Sequence, residues 1–340
     1  MALTAPGYVR VHPAFEEPDI LLQIAQASGF ANLLADEKIR VELAEGDLAV
    51  YIKRMNVRTS AAASQSSFTL TASEYINMSL MSVATYHFSN RAVWARSDEA
   101  AAGRWGFGLP QALELAQEQA LYQSARDIFL YGAVPSNNEG LLNAPGAVAV
   151  TVPPDSNDHS TLITYDNGEL AQFFLQTIVN MIVSMYQAGM PQRIEVLGPQ
   201  RDILYMQQVG IVQLLQFQRP GAGVDTTAGM IEKIQEAAAN KIGWQVDDTM
   251  IGKGAGGTDA IVITVPKVLN PAQNPLNTNI FGKVTPNFDD NVVMYGDMIR
   301  PRKIISPAPY GMTEQIKEWR LSPGWATRGQ AVTILSIAYS

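Results

Sequence analysis

The stretch that decides the fold is residues 109–145, LPQALELAQEQALYQSARDIFLYGAVPSNNEGLLNAP. Apolar residues recur at helical spacing in its first part, so we predict an amphipathic helix over 109–131. Pro110 suits the first turn of this helix and Gly132 suits its C-terminal stop. The predicted buried stripe is Leu109, Leu113, Ala116, Ala120 and Ile128, and the predicted outward side is Gln111, Glu114, Gln117, Glu118 and Gln123.

A short polar loop follows the predicted helix, and the tetrapeptide GLLN stands at 140–143. At about 1.5 Å per residue the helix spans on the order of 30 Å, which is the size of a small domain. No group of reactive side chains lies in or beside this stretch. A strong architectural signal without attached chemistry favours a structural role.

Composition and charge exclude several classes of protein. The chain has 340 residues, of which 47% are hydrophobic and 16% are charged, and its formal net charge is −8. This length accommodates one large domain or two intertwined ones, and the low charge density favours an oligomer. The acidic balance argues against a basic face that grips nucleic acid.

The chain has no cysteine, which excludes disulfides, cysteine-ligated metals and cysteine nucleophiles. Its three histidines, His12, His87 and His159, are far apart and form no metal-binding pattern. The N-terminal residues lack a charged segment followed by an apolar run, and no apolar stretch reaches about 18 residues. We therefore expect neither a secretory signal nor a membrane span, and we expect the protein in the cytoplasm or in something assembled there.

The pattern along the chain predicts an α+β fold. Residues 1–45 are interrupted by prolines and predict a loosely structured arm, with one or two short helices, that becomes ordered on a partner surface. Residues 46–90 predict a long β-hairpin, because strand-like runs at 48–52, 68–71 and 74–88 flank a polar, weakly hydrophobic stretch at 53–67. Such a hairpin is only marginally stable alone in water, so we expect it to lie on a neighbouring subunit.

Residues 166–265 alternate between helices and strands, which predicts a compact α/β lobe. The first helix of the lobe starts at Asp166, and Glu169 follows in an arrangement like a capping box. The predicted helices are 166–188, 199–209 and 230–240, the predicted strands of the lobe are 194–197, 244–246 and 260–265, and the predicted late strands are 292–295, 304–305 and 331–337.

Four motif-like segments are interpreted as structural. The run 252–257 matches GxGxxG, but a strand-like run follows it where a dinucleotide site needs a helix, so we predict a flexible loop. The pairs Asp247-Asp248 and Asp289-Asp290 lie in turn-like segments, which predicts solvated turns rather than metal or acid–base sites. The run DSND at 155–158 resembles the start of a calcium loop but lacks its downstream glycine and glutamate.

The histidines give no support to a catalytic triad, because the sequence has no GxSxG motif. We predict that His159 lies in a polar loop and that His87 is a packed residue at a strand edge. The sequence therefore predicts no catalytic, cofactor-binding or metal-binding residues and no enzyme.

A cluster of arginines and tryptophans at 91–105 is typical of a surface on which nucleic-acid bases stack. The acidic balance of the chain favours a contact between subunits for this cluster, and the basic residues near the hairpin are predicted to pair with acidic neighbours in the same way. The cluster consists of Arg91, Trp94, Arg96, Arg104 and Trp105, and the hairpin residues are Lys53, Arg54 and Arg58.

The order of these segments resembles the major capsid protein of tailed bacteriophages, the Hong Kong ninety-seven type of fold that encapsulins share. The most telling residues are DIFLYG at 127–132 and EGLLNAP at 139–145, because a glycine stop after the spine helix and a GLLN-P turn are features of such proteins. The proline-rich late segments are also similar, with Pro301, Pro307, Pro309 and Pro323-Gly324.

The resemblance implies pentamers and hexamers that close into an icosahedral shell around double-stranded DNA, without sequence-specific DNA binding and without a membrane. It implies portal, scaffolding and decoration proteins as partners, and a place in the virion capsid after assembly in the host cytoplasm. In the type member a lysine of the extended loop is crosslinked to a neighbour's asparagine, but Lys53 lies at the base of the loop, so we do not extend the crosslink to this chain. The implied domains are an N-terminal arm at 1–45, an extended loop at 46–90, a peripheral domain at 91–165 and 266–340 with the spine helix at 109–131, and an axial domain at 166–265.

Three alternatives remain open from the sequence. An encapsulin-type compartment shell has the same fold and encloses enzymes instead of DNA. A soluble oligomeric α/β enzyme needs polar residues that converge in one pocket, and the sequence offers no such set. A tail or head-completion protein is usually smaller or more repetitive and lacks the long spine helix.

Overall fold

The computed structural model has four α-helices in the part of the chain that it describes: α1 (Arg96–Arg104), α2 (Leu109–Tyr131), α3 (Asn167–Ser184) and α4 (Gln200–Gln208). None of these helices is long and apolar enough to cross a membrane. The described residues are 28–34, 41–58, 75–104, 108–185, 193–208, 242–268, 291–298 and 300–340.

The described part of the chain has 14 strands, four of them before the first α-helix and eight after the last, which is the mixed arrangement of an α+β fold. They are β1 (Val41–Glu42), β2 (Ala49–Arg58), β3 (Tyr75–Ala84), β4 (Tyr86–Ala95), β5 (Val148–Thr151), β6 (Ile194–Gly198), β7 (Ile242–Val246), β8 (Asp259–Thr264), β9 (Val293–Met294), β10 (Gly296–Asp297), β11 (Arg302–Ala308), β12 (Met312–Leu321), β13 (Trp325–Ala326) and β14 (Val332–Ile337).

The spine helix α2 lies against a sheet in the order β1-β10-β12-β11, with β4 paired to the other side of β12. β4 and β12 are antiparallel over their whole lengths, from Met312 opposite Ala95 to Leu321 opposite Tyr86. β4 carries alternating exposed and buried side chains in its second half. Such alternation places one face of the strand against the helices and leaves the other face toward solvent.

The α/β lobe is built on a second sheet in the order β5-β14-β8-β6-β7. β8 is buried at every position, which is typical of a strand covered on both faces. Helix α3 packs on this sheet, and the ring of its Phe174 lies 6.5 Å from that of Trp244 on β7. β5 and β14 come from segments outside 166–265, so the sheet crosses the boundary predicted between the axial and peripheral domains.

The predicted hairpin is formed by β2 and β3, which are antiparallel from Ala49 opposite Ala84 to Arg58 opposite Tyr75. The strand run predicted at 74–88 is not continuous, because the chain turns at Thr85 and continues as β4 in the sheet below the spine helix. Residues 86–90 therefore belong to the body and not to the extended loop predicted at 46–90. The Thr85 amide donates to the carbonyl of Leu48 at 3.1 Å and fixes this junction.

The described part of the predicted N-terminal arm is packed into this chain's own core. Phe30, Leu33 and Leu34 are buried, and Val41 pairs with Gly296 in the sheet under the spine helix. The expectation of a loose arm is wrong for these residues, because their large apolar side chains have an intramolecular partner surface. Residues 1–27, the predicted helix at 230–240, the end of the helix predicted to 188, and Asp289-Asp290 lie outside the described residues.

The bounds of α2 match the predicted helix, but its inward side differs in the middle. Gln117 is only 2% exposed, whereas Ala116 is exposed. The reason is that this part of the helix lies over polar side chains of β12, so a glutamine that forms hydrogen bonds fits the inward position better than an alanine.

Candidate assembly interface

The spine helix ends at two glycines whose backbones touch. The amide of Gly132 donates to the carbonyl of Ile128 at 3.0 Å, and Gly132 and Gly140 have φ angles of 75° and 84°. A Cβ atom on Gly140 would lie 2.4 Å from the amide nitrogen of Gly132. Both the positive φ and the close approach exclude side chains here, so the glycines of the stop and of GLLN form one structural unit.

Side chains of the same turn hold the end of the helix. Asn143 Nδ2 donates to the carbonyl oxygens of Tyr131, at 3.4 Å, and Glu139, at 3.1 Å, while Leu141 is fully buried. Glu139 accepts hydrogen bonds from the Val134 amide at 3.0 Å and from the Tyr86 hydroxyl of β4 at 2.7 Å. Burial, and then the hydrogen bond and charge of Glu139, raise the pKa of Tyr86 to about 12, so its hydroxyl stays a donor. The turn thus ties the helix to the sheet.

The N-terminal half of α2 is held by polar contacts. Lys303 Nζ lies 2.9 Å from Glu114 Oε1, and Lys317 Nζ lies 3.2 Å from Glu118 Oε1. The hydrogen bond from Lys303 is the main cause that lowers the pKa of Glu114. Gln117 donates to the Gln315 carbonyl at 3.2 Å. Ion pairs and side-chain amide hydrogen bonds therefore hold the N-terminal half of the spine helix on β11 and β12.

The glycine-rich run 252–257 is a loop that leads into β8, as its sequence context predicted. The Gly252 amide donates to Asp259 Oδ1 at 3.0 Å, and the Ala255 amide donates to Ser336 Oγ at 2.9 Å. Lys253 Nζ lies 5.3 Å from the centre of the Tyr131 ring at the end of the spine helix. These contacts attach the loop to the body, and no helix begins at the loop as a dinucleotide site requires.

The prediction of a solvated turn is wrong for Asp247. This carboxylate is 1% exposed and accepts from the Ser28 hydroxyl and from the Thr249 amide and hydroxyl, the latter two at 2.9 and 2.6 Å. Asp248 accepts from the Gln200 amide at 2.8 Å. An aspartate directly before a helical turn is a cap signal, and that signal was available in the sequence.

Asp155 organises its own loop rather than a calcium site. It accepts from the amides of Asn157, His159 and Asp166 at 2.8–3.0 Å. Burial raises the pKa of Asp155, but these hydrogen bonds outweigh burial and leave the pKa below its usual range. The loop borders an open polar concavity of about 390 Å³ at the start of α3.

The capping arrangement at α3 is confirmed in part. The Asp166 carboxylate accepts from the amides of Gly168 and Glu169 at 2.9 and 3.1 Å. Glu169 does not complete the box, because its carboxylate accepts from the Ser156 amide at 2.9 Å. The capping residues therefore also close the 155–159 loop.

The predicted histidine and arginine positions do not converge. His159 lies in a polar loop, as predicted, while His87 is exposed on the edge strand β4 and is not packed. Arg91 pairs with Glu314 of this same chain, and Trp94 is buried on the opposite face of β4 because alternate residues of a strand point to opposite sides. Arg96 and Arg104 are exposed on α1, and Trp105 and the side chains of Lys53, Arg54 and Arg58 lie outside the described part.

A buried acidic cluster was missed from the sequence. Arg201 donates to Asp259 Oδ2 from Nε at 3.0 Å and from Nη2 at 2.5 Å, and its Nε lies 3.8 Å from Asp202 Oδ1. Asp202 is fully buried, and burial, followed by the charge of Asp259, raises its pKa to about 7. Little in the sequence indicated this cluster, because Arg201 and Asp259 are far apart in the chain. Within the described residues no three His, Cys, Asp or Glu side chains are placed to hold a metal ion.

The hairpin has one packed face and one open apolar face. Val50, Ile52, Met81 and Val83 lie against the core. On the opposite face Tyr51 is 67% exposed and Leu80 is 62% exposed. Because Tyr51 and the partner position of Leu80 are two residues apart on β2, the two side chains are on the same side of the hairpin. This open face is the candidate assembly interface.

Comparison with solved structures gives near-full-length similarity, although no protein-family model and no curated protein matches the sequence. The capsid of Myoviridae phage XM1 has a TM-score of 0.67 at 11% identity, covering 97% of this chain and 99% of that chain. The capsid of cyanophage P-SCSP1u has a TM-score of 0.59 at 12% identity, covering 96% and 93%. The capsid of the native GTA particle has a TM-score of 0.56 at 9% identity, covering 96% and 95%.

At these identities the similarity concerns the fold, and it covers 96–97% of this chain. The glycine stop, the GLLN turn and the hairpin, from which the resemblance was inferred, occur within one architecture. The chain therefore has the α+β fold of the tailed-bacteriophage major capsid proteins, the Hong Kong ninety-seven type.

Proposed function

We propose that this protein is a major capsid protein that self-assembles into pentamers and hexamers of an icosahedral shell enclosing double-stranded DNA. The observation that carries the proposal is the similarity to the phage XM1 capsid over 97% of this chain and 99% of that chain. A shell subunit accounts for the spine helix, the hairpin and the lobe together. It also accounts for the close backbone approach of Gly132 and Gly140, which serves architecture.

The open face of the hairpin supports self-association. Tyr51 and Leu80 present apolar surface on the outer face of the two-stranded ribbon, and Leu48, directly before β2, is 77% exposed. Two-stranded ribbons are marginally stable in water, and apolar patches on them are characteristic of interfaces. A neighbouring subunit that covers this face removes the patch from water and stabilises the hairpin.

The proposal extends to organisation, partners and location. Residues 1–45 act as an arm whose described part, 28–34 and 41–45, lies on the chain's own body. The β2–β3 ribbon acts as the extended loop, the segments 91–165 and 266–340 as the peripheral domain, and 166–265 as the core of an axial domain that β5 and β14 complete. Portal, scaffolding and decoration proteins are the proposed partners. The proposed location is the virion capsid, after assembly in the host cytoplasm, without a membrane and without enzyme activity.

Negative-stain electron microscopy of the purified protein tests assembly. We expect closed icosahedral particles or flat hexameric sheets, and a monodisperse monomer at high concentration would contradict the proposal. Leu80→Glu places a charge on the open hairpin face and should abolish particles while circular dichroism stays unchanged. Tyr310→Ser is the matched control, because Tyr310 is 98% exposed at a turn away from the hairpin, and it should leave assembly intact.

The cargo distinguishes a phage capsid from an encapsulin-type shell. We expect particles from the native source to protect double-stranded DNA from nuclease, and particles that contain an enzyme and no DNA would support the alternative. Because the subunit is acidic, with a net charge of −8, we expect empty shells to bind DNA weakly. Tight binding that falls steeply with ionic strength would contradict a shell that avoids its genome.

A further inference from the structure

Residues 28–34 lie between the spine helix and the α/β lobe and contact both. On the helix side the Tyr122 hydroxyl donates to the carbonyl of Ser28 at 2.6 Å. The ring of Phe30 lies 5.4 Å from the ring of Tyr122 and 5.6 Å from that of Phe129. Both aromatic partners belong to α2, so one side of this segment is fixed to the spine.

The other side of the segment is fixed to the lobe. The Gly29 amide donates to the carbonyl of Val246, at the end of β7, at 3.0 Å. Arg193, directly before β6, donates from Nη2 to the carbonyls of Asn32 and Leu34 at 3.1 and 2.6 Å. The short helical turn of the segment is therefore held by the two neighbouring strands β6 and β7.

A hydrogen-bonded chain closes the same joint from the lobe to the end of α2. The Ser28 hydroxyl donates to Asp247, and Asp247 accepts from the amide and hydroxyl of Thr249. The Tyr131 hydroxyl, at the last residue of α2, donates to the carbonyl of Thr249 at 2.9 Å. Because Asp247 is buried, these bonds are protected from competition with water.

We propose that residues 28–34 are a latch that sets the angle between the spine helix and the α/β lobe. The latch is a short segment that fills the space between two larger bodies, so its release exposes few residues and leaves both sheets intact. Local openings of this kind require less free energy than global unfolding. Residues 28–34 then control the angle between the spine helix and the α/β lobe. This role is additional to the proposed role of the protein as a shell subunit.

Gly29 offers a way to open the latch without touching the helix or the sheet. A Cβ atom on Gly29 would lie 2.5 Å from Cβ of Gln245 on β7, although the backbone of Gly29, with φ −84° and ψ 12°, suits other residues. Gly29→Ala therefore pushes the segment off β7 by steric overlap alone. Gly46→Ala is the matched control, because nothing lies within 4 Å of the Cβ that it adds.

Because the chain has no cysteine, spin labels can be attached selectively at cysteines introduced on the spine helix and on the lobe. Ala116→Cys on α2 and Gln172→Cys on α3 are both at exposed positions, and they report the distance between spine and lobe. Labelled chains are diluted in unlabelled chains, so the measured distances are intramolecular whether or not particles form. The test therefore does not depend on the proposed shell.

We expect a narrow distance distribution in the parent and in Gly46→Ala, and a broad or shifted one in Gly29→Ala. Amide exchange of residues 28–34 and 242–246 should rise by about tenfold or more in Gly29→Ala, while that of β11 and β12 stays unchanged. A distance distribution in Gly29→Ala identical to that of the parent, with exchange raised only in 28–34, would overturn the latch.

If Gly29→Ala does not fold, Ser28→Ala combined with Tyr122→Phe removes three hydrogen bonds of the latch without adding volume: Ser28 to Asp247, the Phe30 amide to Ser28, and Tyr122 to the Ser28 carbonyl. We expect this variant to broaden the same distribution to a smaller extent. An unchanged distribution together with unchanged exchange in 242–246 would contradict the proposal.

Discussion

The C-terminal end of the spine helix is surrounded by apolar side chains, whereas its N-terminal half lies on polar ones. Ala125, Ile128, Phe129 and Leu130 are buried in the core. Glu114 and Glu118 are held by lysines of β11 and β12. The same continuous helix is thus fixed in two physically different ways.

The difference indicates which end defines the fold and which end can adjust. Apolar burial contributes more stability than a partly exposed ion pair such as Lys303–Glu114, which is typically worth about 0–1 kcal/mol. We infer that the end at Tyr131 is the fixed point of the subunit and that the end at Leu109 can shift with modest cost. Four predictions test this comparison.

The largest effect is expected at Phe129. Its ring is fully buried and lies 5.8 Å from that of Tyr295, and its carbonyl contacts Gly324. Phe129→Ala should lower the free energy of unfolding by about 3–5 kcal/mol, since it leaves a cavity in the core. Leu115→Ala on the N-terminal half, where the side chain is partly exposed, should cost less than about 1 kcal/mol in the same denaturant titration. Equal costs would remove the distinction between the two ends.

The glycine pair should give the next largest effect. Gly140→Ala combines a positive φ with overlap onto the Gly132 amide, and we expect a loss of about 1–3 kcal/mol or more in the free energy of unfolding. Gly257→Ala is the control, because Gly257 has a φ of 80° but open space around it. The difference between the two variants measures the close approach itself. Equal losses would show that backbone strain alone matters at Gly140.

Alkaline pH should loosen the C-terminal end. Burial raises the pKa of Tyr131 to about 12, and burial with Glu139 raises that of Tyr86 to about 12, from 10 in an unfolded chain. Since the folded state keeps protons that the unfolded state releases, stability should fall as pH rises from about 10 to about 12. The double variant Tyr86→Phe with Tyr131→Phe should show a weaker pH dependence of unfolding in that range. A slope equal to that of the parent would contradict the assignment.

Acid should act on the opposite end, with the smallest effect. The hydrogen bond from Lys303 lowers the pKa of Glu114, so the stability that this contact contributes is present above the ordinary glutamate pKa and is lost as pH falls through the lowered value. We expect the protection of amides in the first turns of α2 against exchange, relative to the unfolded chain at the same pH, to fall at low pH, with little change near Tyr131. In Glu114→Gln this response to acid should be smaller than in the parent. A response of the same size would show that groups other than Glu114 cause it.

The sequence predicted the local features whose signals lie within a few residues. The bounds of the spine helix, the stop at Gly132, the Asp166 cap and the strands at 194–197 and 260–265 agree with the structure because periodicity and capping are local. The inward position of Gln117 was not predictable from hydrophobicity, because it depends on Gln315 in a distant strand. The sequence predicted a hairpin at the candidate interface. Which of its side chains lie on the packed face and which on the open face could be assigned only from the register of β2 and β3.

The sequence by itself determined a long helix with a glycine stop, an alternating α/β segment, and a chain with no cysteine chemistry and an acidic net charge. Only the tertiary structure decided that residues 28–34 belong to the core, that Asp247 is a buried acceptor, and that β5 and β14 complete the sheet of the lobe. The physical reason is the range of the interactions. Capping, periodicity and turn preferences act between neighbours in the sequence, whereas burial and strand order depend on segments that meet only after folding.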